Sequence, residues 1–368
     1  MSNKDRLHEL DSLRALAAIG VIGWHYTNHF HASPFPHLMA PFYRHGLLLV
    51  DFFFVLSGFV LARTYWTENR APNFAVNMRD RIARLYPLHI VTLCIVGVMQ
   101  WMLVSVFHSE PFMYEFNNAR NLVLNLLLMN RTGLEHGYSY NAPSWSISVE
   151  FIVNVAFLAA ITAHRRTAAA IISIGALASA FVVARNGLIS NATVFGIDND
   201  VFRATFGFCL GVALHSFCSR PARLRAPRFL YDALALVALF AFLSYCASAR
   251  TTGYLDLAVS LICFPALIIG AMRGRIVRGF LRMPPLVFLG TISYSIYLVH
   301  FPVQLGAHVF EIASGNALPY ESRFLFVSLL LITIAISWAT YHLVELPGKT
   351  GMKRLLGGSR SNPQTTSN

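Results

Sequence analysis

Long apolar runs alternate with short polar segments along the whole chain. Ten of these runs are long enough to cross roughly 30 Å of hydrocarbon as helices. They cover about residues 11–30, 45–65, 86–107, 145–163, 167–185, 201–217, 230–248, 255–272, 287–309 and 323–344, the sixth being short. The run 121–130, NLVLNLLLMN, is too short to cross and reads as a re-entrant or interfacial segment. The pattern predicts an all-α, polytopic membrane protein of about ten transmembrane helices with one extra short helix. Residues 1–345 are expected to form a single integral membrane domain. Residues 346–368, basic and then polar, are expected to be a disordered cytoplasmic tail. The first span is not expected to be a cleaved signal peptide, because polar groups interrupt its core and nine further spans follow.

Composition agrees. The 368 residues are 55% hydrophobic and 12% charged, against about 25% charged in soluble domains. With an N-terminus inside, the cytoplasmic segments hold 21 of the 29 Lys and Arg residues and the outer segments hold 7. This bias predicts both termini on the cytoplasmic side of the plasma (bacterial inner) membrane. It also accounts for the net charge of +12 through anionic lipid headgroups, with no nucleic acid as partner. The five cysteines show neither CxxC spacing nor a metal-ligand pattern, so no metal is expected.

Ionisable residues within the spans change the picture. Arg14 and His25 are eleven residues apart, within about 20° of a whole number of helical turns, so they share one face roughly 16 Å apart along the axis. An ionisable group at the bilayer centre costs at least about 2.5–3.5 kcal/mol, so this face should meet protein or water. Taken singly, Arg14 reads as a cation snorkelling to the interface and His25 as a residue bonded to a neighbouring helix. Asp51, Glu150 and His300 lie at a similar depth in the second, fourth and ninth spans, which points instead to a shared polar cavity. Arg79, Arg81 and Arg84 precede the third span. Arg81 and Arg84, three apart, would be neighbours on a helix and suited to a phosphorylated ligand; the plainer reading is topological charge alone.

These stretches together resemble the membrane-bound acyltransferase-3 family. The resemblance rests on LDSLRALAAIGVIGWH with Arg14 and His25, VDFFFVLSGF with Asp51, Ser57 and Gly58, RDRIARLYP with Arg81 and Arg84, WSISVE with Glu150, and SYSIYLVH with His300. Two features depart from the family pattern: Phe151 follows Glu150 where a second acidic residue is common, and VELPGK keeps Glu345 without the usual basic-aromatic run. The resemblance implies O-acylation of a sugar or exported glycan, or of a lipid-linked sugar, most often with an acetyl group. Acyl-CoA (acetyl-CoA) would be a co-substrate, with no tightly bound cofactor. It further implies that Arg14, Arg81 and Arg84 dock the CoA phosphates and that the thioester is presented near His25. Neutral imidazole suits general-base work near pH 7, and a carboxylate on its other nitrogen would fix the tautomer. Asp51 and Glu150 are the two candidates for that carboxylate. Ser57, Ser148 or backbone N–H groups would stabilise the oxyanion, and His300, Ser57 and Ser148 are expected to bind substrate. A covalent acyl-histidine relay is the variant mechanism. The rival class is a secondary transporter or exporter of a polar solute, which also needs midplane ionisable residues. A membrane sensor or scaffold without chemistry is the third reading.

Overall fold

The computed structural model describes residues 7–66, 73–135, 137–220, 225–248 and 253–357. Each apolar run becomes a helix, because in hydrocarbon only an internally bonded backbone avoids unsatisfied polar groups. In chain order these are α1 (His8–Phe30), α2 (Ala40–His45), α3 (Leu48–Tyr65), α4 (Phe74–Ser105), α5 (Ala119–Leu126), α6 (Trp145–Ala160), α7 (Arg165–Asn186), α8 (Asn199–Cys218), α9 (Arg228–Ala247), α10 (Gly253–Arg273), α11 (Ile276–Leu281), α12 (Pro284–Thr291), α13 (Ser293–Ser314), α14 (Arg323–Thr340) and α15 (Leu346–Leu355). A π-helical segment, Tyr341–Glu345, joins α14 to α15. Among the described residues the only strands form a hairpin, Thr193–Val194 against Ile197–Asp198. The protein is thus an all-α polytopic membrane protein.

Nine helical segments among the described residues are long and apolar enough to cross a membrane. Helix α1 has the length, at 23 residues, but polar groups along it leave it outside that set. The short run at 121–130 is helical only in its first part, as the end of the eight-residue α5.

Three boundaries differ from the sequence pattern. Helix α4 starts at Phe74 rather than 86, because the Asn73 side chain accepts a hydrogen bond from Val76 N (3.1 Å) and caps it. Arg79, Arg81 and Arg84 therefore stand on the helix and not in a loop before it. The ninth run is split at Ile292 into α12 and α13. The expected disordered tail is corrected over its first part. Residues 346–355 form α15, with Gly348 packed against Pro87 of α4 and Lys353 Nζ 2.7 Å from Asp80. Residues 358–368 lie outside the described residues.

Helices α3 and α8 are packed most tightly. A Cβ on Gly58 would collide with the Phe208 carbonyl, and one on Gly211 with the Val55 carbonyl. In lipid, helices associate through close packing of small residues rather than through a hydrophobic drive, and these two glycines permit it. Helix α1 is held at its start by Glu9, buried and 3.4 Å from both Arg278 and Arg282, and by Ser12 Oγ donating to the Leu281 carbonyl at 2.6 Å. Apolar side chains such as Ile174, Leu177 and Phe181 on α7 and Val237 and Phe240 on α9 point outward, as a lipid-facing belt requires.

Candidate active site

Five of the residues singled out in the sequence line one cleft. Arg14 comes from α1, Ser57 from α3, Arg81 and Arg84 from α4, and Glu150 from α6; Phe53, Tyr294 and Tyr297 complete the walls. The space between these walls, counted out to where the cleft opens into its surroundings, is about 760 Å³. Three guanidinium groups thus face one carboxylate. Glu150 is engaged by Ser57, whose Oγ donates to its Oε1 at 2.5 Å. Arg14 lies 3.4 Å from Asp11. Arg81 is buried, with its guanidinium 5.7 Å from the Tyr65 ring centre. Among the described residues, no carboxylate forms an ion pair with Arg81 or Arg84. A cleft in which two of the three fork-shaped donors, Arg81 and Arg84, have no carboxylate ion-pair partner among the described residues is chemically suited to a polyanion such as a phosphorylated ligand.

The histidines lie beyond one end of this cleft. Tyr297 forms the boundary: it lines the cleft, its hydroxyl donates to the Pro143 carbonyl (3.0 Å) and pairs with Ser146 (2.7 Å), and its ring centre lies 5.8 Å from that of His300. The shared polar cavity expected from the sequence is therefore divided: the arginine cleft stops at Tyr297, and the histidines lie buried behind it. Pro302 helps to shape this wall. It cannot donate to the Leu298 carbonyl within α13, and Asn141 Nδ2 bonds that freed carbonyl at 3.1 Å.

His25, His29 and His300 form a buried cluster. The ring centre of His25 is 5.0 Å from that of His29 and 4.9 Å from that of His300. His25 Nδ1 lies 3.3 Å from His29 Nε2, and His29 Nδ1 lies 2.6 Å from Gln304 Oε1. His300 Nδ1 donates to the Tyr297 carbonyl at 2.6 Å, leaving its buried Nε2 without a partner. Phe112 and Tyr114, from the segment between α4 and α5, cover His29. Gln100 pins that segment by bonding both the Phe112 N–H (3.0 Å) and its carbonyl (2.9 Å). Among the described residues no group of His, Cys, Asp and Glu has the geometry to hold a metal ion.

Two sequence expectations need correction here. Neither Asp51 nor Glu150 reaches His25. Asp51 is bound through both oxygens by Arg203 of α8, Nε to Oδ1 and Nη2 to Oδ2, each at 2.7 Å. Arg203 also donates to the Leu47 carbonyl at 2.9 Å, lies 3.5 Å from Asp200 and stacks 5.3 Å from the Trp145 ring centre. The network continues from Asp200 to Arg131 (2.9 Å) and from Arg131 to Asp198 (3.2 Å). By topology alone Arg203 is one of the seven outer cations, although it falls within the short sixth run. Ser148 is also elsewhere: it donates to Asn130, whose Nδ2 bonds Ser144 at 3.2 Å, and it does not line the cleft. Burial pushes Glu135 up to about 7 and Asp198 up to about 6, against the pull of neighbouring Arg131 on each.

His29 and Gln304 escaped the sequence reading, although a signal was present. His25 and His29 are four apart in HYTNH, and His300 and Gln304 are four apart in HFPVQ, so each pair shares a helix face.

The sequence profile of the family described as an acyltransferase domain matches residues 7–342. Acyltransferase MdmB of Streptomyces mycarofaciens is 29% identical over 384 residues, covering 96% of this chain and 94% of its own. YrhL of Bacillus subtilis (strain 168), provisionally named a peptidoglycan O-acetyltransferase, is 26% identical over 93% of this chain, which spans only 54% of that relative. BcsY of Komagataeibacter xylinus, provisionally named a membrane-bound transacylase, is 27% identical over 94% of this chain and 83% of its own. No solved structure matches the chain significantly.

Proposed function

The chain belongs to the acyltransferase-3 family, and from that premise we propose that it is an acyl-CoA-dependent O-acyltransferase. It moves an acyl group, most simply acetyl, from cytoplasmic acyl-CoA to a hydroxyl of a sugar, exported glycan or lipid-linked sugar. The observation that carries the reading is the cleft in which Arg14, Arg81 and Arg84 converge without carboxylate partners for the two α4 arginines. Arg14 stands on the same helix as His25. Those arginines take the CoA phosphates, and the pantetheine arm runs along α1 toward His25, passing Tyr297.

At His25 the acceptor oxygen forms a bond to the thioester carbonyl carbon while its proton goes to His25 Nε2. The tetrahedral intermediate then collapses by breaking the C–S bond, and the leaving thiolate takes the proton back from the imidazolium. Positioned general-base catalysis of this kind contributes typically about 10²–10⁴-fold. His300 Nε2, buried and without a hydrogen bond, would accept from a second hydroxyl of the sugar and so orient the acceptor beside His25. The relatives' names, which include peptidoglycan O-acetyltransferase, support a glycan acceptor.

The test uses the full chain purified into lipid nanodiscs. Acetyl-CoA and a cell-surface glycan fraction are supplied, and free thiol is measured together with ester by mass spectrometry. Thiol release that depends on the glycan and matches ester formed is the expected result. Flux of a polar solute with no acyl transfer would replace this reading with that of an exporter.

A further inference from the structure

Two helix faces are wired to each other at the histidine cluster. Helix α1 presents His25 and His29 one turn apart, and α13 presents His300 and Gln304 one turn apart. The contacts order them as His25 Nδ1 to His29 Nε2 at 3.3 Å and His29 Nδ1 to Gln304 Oε1 at 2.6 Å. All four side chains are buried.

An amide oxygen only accepts, so the short contact to Gln304 Oε1 requires the proton of His29 on Nδ1. A neutral imidazole carries a single N–H, which leaves the lone pair of His29 on Nε2. The 3.3 Å contact to His25 is then a hydrogen bond only when His25 is protonated on Nδ1. That in turn fixes the lone pair of His25 on Nε2, an atom that bonds to none of the described residues. We propose that His29 and Gln304 are positioning residues for acyl transfer, forming a relay that holds His25 in its basic tautomer. The proposal rests on the reading of His25 as the general base. It assigns to a second histidine and an amide the role expected of a carboxylate, and Asp51 is occupied by Arg203.

The relay also acts on the protonated state. When His25 takes the acceptor proton, its Nδ1–H bond to His29 becomes charge-assisted, roughly twice the strength of a neutral one. The titratable groups facing His29 are His25 on its own helix, His300 on α13 and Tyr114 above it, whose hydroxyl lies 3.4 Å from His29 Nε2. No carboxylate faces the cluster among the described residues. The turned amide would give the opposite outcome: a Gln304 N–H donating to His29 Nδ1 would put the proton of His25 on Nε2 and remove the base. Substituting Gln304 therefore reads the relay directly.

The experiment compares Gln304→Leu and Gln304→Glu with the unmodified protein in nanodiscs, measuring kcat, donor KM and the rate–pH profile. In a serine-protease triad the wrong tautomer costs about 10⁴-fold; the loss expected here for Gln304→Leu is at least about tenfold in kcat with donor KM unchanged. Gln304→Glu keeps an acceptor at His29 Nδ1. It should retain turnover and move the acid limb of the profile to higher pH, because its negative charge favours the imidazolium. Wild-type kcat in Gln304→Leu would overturn the relay. So would equal slowing of both variants with an unchanged pH profile, which is the signature of a structural role. His25→Ala separates the two levels. If it is inactive while Gln304→Leu turns over normally, only the relay fails; if it is active, the general-base reading fails and the relay with it.

Discussion

Arg203 grips Asp51 through two parallel hydrogen bonds of 2.7 Å inside the bundle, tying α8 to α3 where Gly58 and Gly211 bring the two backbones together. A carboxylate in the second span thus serves the fold. Removing one partner of a buried pair leaves a bare charge and costs about 3–5 kcal/mol, whereas replacing both is far milder. Arg203→Met alone should therefore lower the melting temperature of the detergent-solubilised protein sharply. The double variant Asp51→Leu, Arg203→Met should recover most of the loss, as read by fluorescence-detected unfolding. An Asp51→Asn protein that folds with normal stability and has no turnover would return Asp51 to catalysis.

The arginines of α4 should act through phosphate. Arg84→Ala should raise the KM for acetyl-CoA by about tenfold, the scale of one charge-assisted hydrogen bond at roughly 1.5–3 kcal/mol. With a truncated donor, an N-acetylcysteamine thioester that carries no phosphates, the same variant should match the wild type. An equal loss with both donors would show that Arg84 shapes the cleft rather than docking the nucleotide end.

Tyr297 separates the cleft from the histidines. Tyr297→Ala should widen that passage and shift the donor preference toward longer acyl chains, measured as the ratio of kcat/KM for butyryl-CoA to that for acetyl-CoA. An unchanged ratio would mean that the acyl group takes another path.

Glu135 gives a pH dependence of stability. Burial raises its carboxyl from an ordinary 4.5 to about 7 in the folded protein, despite hydrogen bonds from Arg131 N (3.0 Å) and Ser139 Oγ (3.4 Å). Between those values the unfolded chain loses its proton while the folded protein keeps it. The contribution is complete below about 4.5 and is lost as pH rises through about 7. Asp198, raised from 3.8 to about 6, acts in the same direction. The wild type should therefore lose thermal stability between pH 5 and pH 8. Glu135→Gln should show a shallower fall over that interval, and parallel curves would contradict the assignment.

The extent to which the site was legible follows from what each residue does locally. Arg14 and His25 stood out because an apolar helix makes any ionisable residue conspicuous, and their spacing alone set them on one face. Arg81 and Arg84 required only that their segment be helical, which the Asn73 cap secures. Partnership across helices was not legible. Asp51 and Glu150 had the chemistry to assist a histidine, but which helix faces α3 depends on the glycine contacts with α8, and those bring Arg203 to Asp51. Gln304 was hidden for the opposite reason, since a neutral amide in an apolar run carries no charge signal until α13 is laid against α1. The wall at Tyr297 is likewise a product of packing, through a tyrosine that reads in sequence as one more aromatic.

In the proposed reaction His25 removes the acceptor proton while the arginine cleft holds the donor. The most direct measurement of this is single-turnover transfer by His25→Ala, loaded with radiolabelled acetyl-CoA at a concentration where wild-type binding is saturated. The variant is expected to bind the labelled donor like the wild type and to pass no label to the glycan. Transfer at the wild-type rate by that variant would contradict that role of His25.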